Sequence, residues 1–480
     1  MHLIPQSWSH LHILVSVFPS VGLIFALGFY VAALATNNEG LKRTCLIAFG
    51  ILGILAIPTY FSGVGSMDAL SGKPGISQDR IDSHYDWSMA ALALLAITGA
   101  TAWIQLWRFR NAARLSVNAL HLVLGLAIGT LALMVIVGEL GWEISHHELQ
   151  VAARANTGIS ASDIPEDQQT SQGWSHVHMI LNHFPTVGFV FALGFYLVGL
   201  FTNNDVMKRA SLVGFTICAI LGIPTYVTGA AAMWALSEIP AISKFPAGMD
   251  PLINAHRDMA LLTLFCLAFT GVASWIVLWR YRYLGRFTDR SLYVVLAFAI
   301  ITLGVMAETG HRGGQINHPE IRTEAVPTDT GGYISPVIES EINNVIWFVP
   351  WQTVHFFGYS LVFGTVLAVV LRVLGFWKSM PFSAVHRLLP LGVFGVVMNV
   401  FTGMLMLMAD TFRYVNETTF APKMLFLPIG AIAVLYFSLS ERLWNVKAGE
   451  DAPITAKWVA ALVLLSWIAV IMGGRLLPYV

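Results

Sequence analysis

The sequence predicts an all-α polytopic membrane protein of about twelve transmembrane helices, arranged as three four-helix bundles. Three observations predict it. First, the 480 residues are 56% hydrophobic and only 11% charged, whereas a soluble domain carries about 25% charged residues. Second, the chain breaks into twelve apolar runs, each long enough for the roughly 20 residues that span a bilayer core. Third, a block of four such runs is written twice. So few charges cannot cover a water-facing surface. A soluble enzyme is excluded, and with it disorder, collagen and, at net charge zero, a polyanion-binding surface.

The runs lie at roughly 8–36, 42–70, 85–109, 115–142, 175–202, 208–236, 257–281, 289–309, 344–373, 384–410, 422–440 and 455–477. The first starts near Trp8 without a basic leader and is too long for a signal h-region, so no cleavable signal peptide is expected. Pro58, Pro224 and Pro390 fall inside runs, where neighbouring helices can satisfy the freed carbonyls. Basic residues gather on the face opposite the N-terminus, among them Lys42, Arg43, Arg108, Lys208, Arg209, Arg280, Arg372 and Arg442. The positive-inside rule then puts both termini outside, in the periplasm of a bacterial inner membrane. The outer loops 71–83, 150–173, 237–255 and 311–343 are polar, and read equally as plain linkers or docking surfaces.

The duplication sets the expected domains at 1–150, 171–320 and 340–480. WSHLHILVSVFPSVGLIFALGFYVAALATNN from Trp8 recurs from Trp174 as WSHVHMILNHFPTVGFVFALGFYLVGLFTNN. IPTYFSG at 57–63 recurs as IPTYVTG at 223–229. HYDWSMAALALLAITGATAWIQLWRFR from His84 matches HRDMALLTLFCLAFTGVASWIVLWRYR from His256, and GELGWEISH at 138–146 aligns with GHRGGQINH at 310–318. The third unit has no clear similarity to the other two.

The three cysteines, Cys45, Cys218 and Cys266, lie in apolar runs. They make no C-x-x-C-H motif, cannot hold a four-cysteine iron–sulfur cluster, and offer no disulfide framework. Histidine is the informative residue, because an ionisable group in lipid is costly and tends to mark function. Four positions hold histidine in both copies: His10/His176, His12/His178, His84/His256 and His146/His318. The first two pairs begin the first helix of each unit, His84 and His256 begin the third, and His146 and His318 follow the fourth. Up-down topology brings all of them to the outer end. Imidazoles at one depth on different helices can clamp a metal or sandwich a heme. In each H-x-H, successive positions turn about 100° per residue, so the two rings point nearly opposite ways. They would serve two irons, or one would ligate while the other supports. Interfacial histidines that merely bond headgroups or water are the bland alternative.

Asp86 and Asp258, two residues after His84 and His256, are candidates to hold an imidazole N–H or a heme-side water, or are ordinary outer-face acids. Glu139 and Glu308 are weaker candidates for carrying protons. His121, His183, His147 and His311 are not duplicated. Gly22, Gly28, Gly63, Gly65, Gly99, Gly188, Gly194, Gly229 and Gly271, with many aromatic residues, suit a heme slot but equally suit close helix packing. In the third unit His355 lies well inside its first helix and His386 starts the next one on the opposite face, too far away in depth to share a heme. Met398 and Met404 lie nearer the level of His355.

The H-x4-HFP run at His178–Pro185, the histidine opening the third helix and the GHRGGQINH run at 310–318 resemble an uncharacterised family of bacterial four-helix membrane domains with an H…HFP start and a G-x-x-G-G…H finish. The resemblance covers both repeats and implies a tie to heme or cytochromes. It carries His178, His183, His256 and His318 in the second copy and His12, His84 and His146 in the first. The first copy departs from it where Val17 and Trp142 stand. Through QTVH at 352–355 and LRVLG at 371–375, the third unit is similar to another uncharacterised membrane domain.

The expectation is a membrane b-type cytochrome subunit of a redox complex, rather than a stand-alone enzyme. Axial imidazoles would come from among His10, His12, His84, His146, His176, His178, His256, His318 and His355, holding more than one heme b. Electrons would pass between the quinone pool, a quinone being a second expected ligand, and a periplasmic cytochrome c or catalytic subunit docked on the acidic outer face. Two rivals stay open. One is a copper or zinc transporter or binding subunit that uses His12, His84, His146, His178, His256 and His318 as metal ligands. The other is a cofactor-free structural subunit.

Overall fold

A computed structural model describes residues 7–35, 37–71, 77–145, 174, 177–238, 250–317, 341–342 and 345–476. Within these the chain is all helical, and twelve helices are long and apolar enough to cross a membrane. The first four are α1 (Trp8–Ala35), α2 (Glu39–Leu70), α3 (Gln78–Arg108) and α4 (Val117–Ser145). The next four are α5 (His183–Phe201, within the span Val177–Phe201), α6 (Asp205–Glu238), α7 (Asp250–Leu284) and α8 (Asp289–Asn317). The rest are α9 (Val345–Leu374), the short α10 (Phe382–His386), α11 (Leu389–Ala409), α12 (Thr411–Asn416), α13 (Phe420–Leu439), α14 (Glu441–Trp444) and α15 (Ile454–Leu476).

Three of the predicted runs depart from the sequence reading. α3 and α7 begin one to two turns before their apolar runs, at Gln78 and Asp250. His84 and His256 therefore sit in the second turn and do not open the helix. Hydropathy marks only the lipid-crossing part, and a helix runs on into the polar interface while its backbone bonds continue. The run predicted at 384–410 is broken. α10 ends at His386, and α11 restarts at Leu389 with Pro390 in its first turn. There proline's missing N–H costs nothing.

The first eight helices repeat their internal contacts. α1 to α4 pack in sequence and α4 returns to α1; α5 to α8 do the same. Tyr30 donates its hydroxyl to Leu120 O at 3.0 Å, and Tyr196 to Leu292 O at 2.8 Å. The Thr98–Thr130 hydroxyl pair, at 3.0 Å, has its counterpart in Thr270–Thr302, at 2.8 Å. At the opposite face, Asn37 (φ 51°) and Asn203 (φ 49°) turn the chain from the first helix into the second. Each takes a 2.6 Å bond from the following lysine, Lys42 or Lys208, and each lysine also pairs with Glu39 or Asp205. Asparagine suits a left-handed turn because its short side chain bonds locally.

The two halves meet through α1 and α5, and the contact is reciprocal. A Cβ added to Gly22 would lie 2.6 Å from the Phe191 ring, and one added to Gly188 would lie 2.6 Å from the Phe25 ring. Gly22 and Gly188 are equivalent residues of the repeated sequence, as are Phe25 and Phe191. About one turn further along both helices, Phe29 meets its own equivalent, Phe195, edge to face at 6.4 Å. Such a self-complementary contact is the signature of a two-fold interface, here written within one chain. Glycine serves because the absent Cβ leaves room for the facing phenylalanine ring.

The last helices pack differently. α9 packs on α11 and on α15, and α13 packs on α15. α11 and α13 both pack on α6 and α7 of the second repeat rather than extensively on each other. Trp275 donates to Ser438 Oγ at 3.1 Å, Trp279 donates to His386 O at 3.3 Å, and Arg282 bonds the Ser438 carbonyl at 2.8 Å and that of Leu439.

Candidate functional site: a layer of tethered imidazoles

His12 lies in the second turn of α1 and faces the last third of α2. His84 lies in the second turn of α3 and faces the end of α4. Antiparallel helices bring these places to the same end of the molecule. His178 against α6 and His256 against α8 repeat the arrangement. His355 against α11 adds a fifth case at that same end.

In each case Nδ1 is tethered to the neighbouring helix. His84 Nδ1 bonds Val137 O at 3.2 Å, His256 Nδ1 bonds Thr309 O at 3.0 Å, and His178 Nδ1 bonds Thr225 O at 2.9 Å. His12 Nδ1 bonds Ser62 Oγ at 3.1 Å, and His355 Nδ1 bonds Thr402 Oγ1 at 2.8 Å. A carbonyl only accepts, so in the neutral rings of His84, His178 and His256 the proton sits on Nδ1. The hydroxyls reach the same result. Ser62 spends its own hydrogen on Thr59 O and Thr402 spends its own on Met398 O, so each accepts from the imidazole. The tautomer follows from these partners. All five rings keep the Nε2 lone pair for something else.

Each ring also lies on a glycine. An added Cβ would come within 3.0 Å of His12 Cε1 at Gly63, 2.9 Å of His84 Cε1 at Gly141, 2.7 Å of His178 Cε1 at Gly229, 2.8 Å of His256 Cε1 at Gly313, and 3.4 Å of His355 Cε1 at Gly403. In α4, α6 and α8 the accepting carbonyl lies four residues, about one turn, before the glycine. In the first, second and third segments the glycine follows the hydroxyl residue directly: Ser62-Gly63, Thr228-Gly229 and Thr402-Gly403. Thr228 Oγ1 is a second partner for His178 Nδ1, at 3.3 Å.

The rings also pair. His12 lies close enough to His84 to interact electrostatically, and His178 to His256 likewise. His10 points away from His12, as the H-x-H geometry requires. It is buried and stacks on His311 of the second repeat, with centroids 6.0 Å apart. His311 in turn meets Gln315 at 3.2 Å. His183 tethers to Met179 O of its own helix at 2.7 Å, and His121 is exposed. His146, His147, His176 and His318 lie outside the described residues. Among the described residues no group of three or more His, Cys, Asp or Glu is placed to hold a metal ion.

Two supporting roles expected from sequence fall elsewhere. Asp86 is exposed, two residues and about 200° round the helix from His84. Val137 O holds His84 Nδ1, and Thr309 O holds His256 Nδ1, so Asp258 does not supply that tether either. Sequence reasoning missed Gly141, Gly313 and Gly403, and the hydroxyls of Ser62, Thr228 and Thr402. Recurrence of a small hydroxyl residue before glycine in IPTYFSG, IPTYVTG and NVFTG was the signal available for part of this set.

Residues 175–319 match a family model described as a predicted membrane protein, DUF2231. The match takes in one of the two repeats that the sequence likens to such a family. No curated protein and no solved structure matches the chain. With its twelve candidate spans, the chain is a multi-pass membrane protein.

Proposed function

We propose that the chain is a membrane-embedded b-type cytochrome subunit with one bis-histidine site in each repeat, His12 with His84 and His178 with His256. The observation that carries this reading is the shared state of the four imidazoles. Each is fixed through Nδ1 to a neighbouring helix, each keeps Nε2 as a lone-pair donor, and each has its partner close by. Axial imidazoles with the other nitrogen hydrogen-bonded are the usual way a protein orients such ligands and raises their basicity. The donor set fits heme b: two neutral nitrogen donors per site, from helices at one depth.

A bound heme would supply one-electron redox chemistry. The chain's own part is to hold the rings in one tautomer, keep the cradle glycines open, and exclude water with apolar helix walls. On this reading the two repeats are tandem copies of one domain fold. The N-terminal end faces the periplasm of a bacterial inner membrane, with both termini on that side. Electrons pass between the quinone pool and a periplasmic partner docked on the acidic outer face.

Pyridine hemochrome and reduced-minus-oxidised spectra of the purified protein test the reading. Two b-type hemes per chain are expected. Protein that contains copper or zinc and no heme would move the assignment to metal binding, and protein with neither would leave a structural subunit.

A further inference from the structure

The third segment copies the site's scaffold but changes its chemistry. In each repeat the first helix carries an imidazole over a glycine of the second, and the third helix carries an imidazole over a glycine of the fourth. In the third segment the first half is kept, with His355 over Gly403. The second half holds a lysine. Lys423 opens α13, the third membrane helix of the segment, at the end of the molecule that holds the imidazole layer. It packs on two glycines near the end of α15. A Cβ at Gly473 would lie 3.0 Å from Lys423 Cβ, and one at Gly474 would lie 3.5 Å from its Nζ. His355 and Lys423 are close enough to interact electrostatically, as His12 does with His84.

The substitution turns two lone-pair donors into a complementary pair. His355 Nε2 is an acceptor, because Thr402 holds the proton on Nδ1. The Lys423 ammonium offers only donors. Among the described residues it has neither a carboxylate nor a side-chain hydrogen-bond partner. One turn earlier, Thr419 Oγ1 is buried without a protein partner. Trp351, one turn before His355, meets Phe401 edge to face at 5.7 Å, and Phe401 meets Phe265 at 5.9 Å. A planar ligand that enters from lipid, accepts a hydrogen bond at one oxygen and donates one at another fits this set. An iron porphyrin would instead need the amine's lone pair.

We propose that His355 and Lys423 form a quinol headgroup site in the third segment, with Lys423 donating to one hydroxyl oxygen and His355 Nε2 accepting from the opposite hydroxyl. The inference deepens the electron-transfer reading by placing its lipid-soluble substrate. The proposal concerns binding alone, so its test does not depend on heme.

Full-length protein in detergent, pre-reduced with dithionite, is titrated anaerobically with decylubiquinol by isothermal calorimetry. One saturable site per chain is expected. Lys423→Met and His355→Leu each weaken it about tenfold or more, the loss of one hydrogen bond to a charged or tightly held group. Lys423→Arg retains most of the affinity, which shows that the cation and not the fold is what Lys423→Met removes. Heme content stays unchanged in all three variants. Unaltered affinity in Lys423→Met and His355→Leu overturns the proposal. So does the loss of one heme equivalent in both, which would make the pair iron ligands. A heme-free protein that still binds the quinol through these residues supports this site while sinking the cytochrome reading.

Discussion

The two repeats share an interior and differ in their surroundings. Tyrosine-to-carbonyl bonds, threonine pairs, asparagine turns and tethered imidazoles recur residue for residue. The face formed by the second and third helices does not. In the second repeat Ile223, Val227 and Trp275 are buried under the third segment, Trp275 at 5% exposure. Their equivalents in the first repeat, Ile57, Phe61 and Trp103, are open, Trp103 at 58% and its neighbour Trp107 at 65%. An apolar face serves equally well toward lipid or toward another helix, so hydropathy alone does not separate the two fates. What separates them is the polar trim. Trp275 and Trp279 direct their N–H groups to Ser438 and His386, and Arg282 caps the carbonyls at the end of α13. The internal site is thus a property of the repeat, and the docking surface a property of one copy.

The sharpest way to break the equivalence is at the imidazoles. His84→Ala and His256→Ala should each remove about half of the heme measured by pyridine hemochrome, and the double variant nearly all of it. Unequal single losses would show that the copies are not functional equals, and full retention would remove both residues from the ligand set.

The next largest effect concerns the covered face. Trp279→Ala should destabilise the protein by about 2–3 kcal/mol, through a lost hydrogen bond and an unfilled cavity. Trp107→Ala, with its ring in the open, should stay within about 0.5 kcal/mol. Thermal unfolding in detergent reads both. A matching loss at Trp107 would mean that the first repeat's face is also covered.

A finer comparison comes from the cradle glycines. Gly229→Ala places a methyl 2.7 Å from His178 Cε1, and Gly63→Ala places one 3.0 Å from His12 Cε1. Both must push the ring. The second-repeat variant is expected to show the greater loss of heme or the larger shift in low-spin electron paramagnetic resonance signals. The smallest effect is expected at the threonine pairs. Thr98→Val and Thr270→Val should each cost about 0.6 kcal/mol, the average measured for such bonds between membrane helices. Equal values would confirm that the interiors match, since the 3.0 and 2.8 Å pairs sit in equivalent places.

Sequence reading reached the twelve spans because burial of apolar runs in lipid leaves a direct compositional trace. It reached the divergence of His10 and His12 because helical periodicity is fixed. It placed His84 and His256 at helix starts because hydropathy is silent about how far a helix extends past the membrane. The tether escaped it for a different reason. Every residue owns a carbonyl, so Val137 and Thr309 carry no side-chain signature of the role they play. Asp86, which does carry one, points away. Gly141 and Gly313 were hidden because a cradle is defined by what crosses from another helix. Lys423 was hidden because the third segment keeps the scaffold of the repeats with almost none of their sequence.

The grip of α11 and α13 on α6 also bears on biogenesis. Spans leave the ribosome in order, so the second repeat is already in the bilayer when α11 emerges. The last segment is then completed around a preformed post rather than assembled alone. A truncation after Asn317 would forfeit only the clasp, whereas residues 345–480 expressed separately would lack the helix they close upon, and should be handed to quality-control proteases unless the earlier spans are supplied in trans.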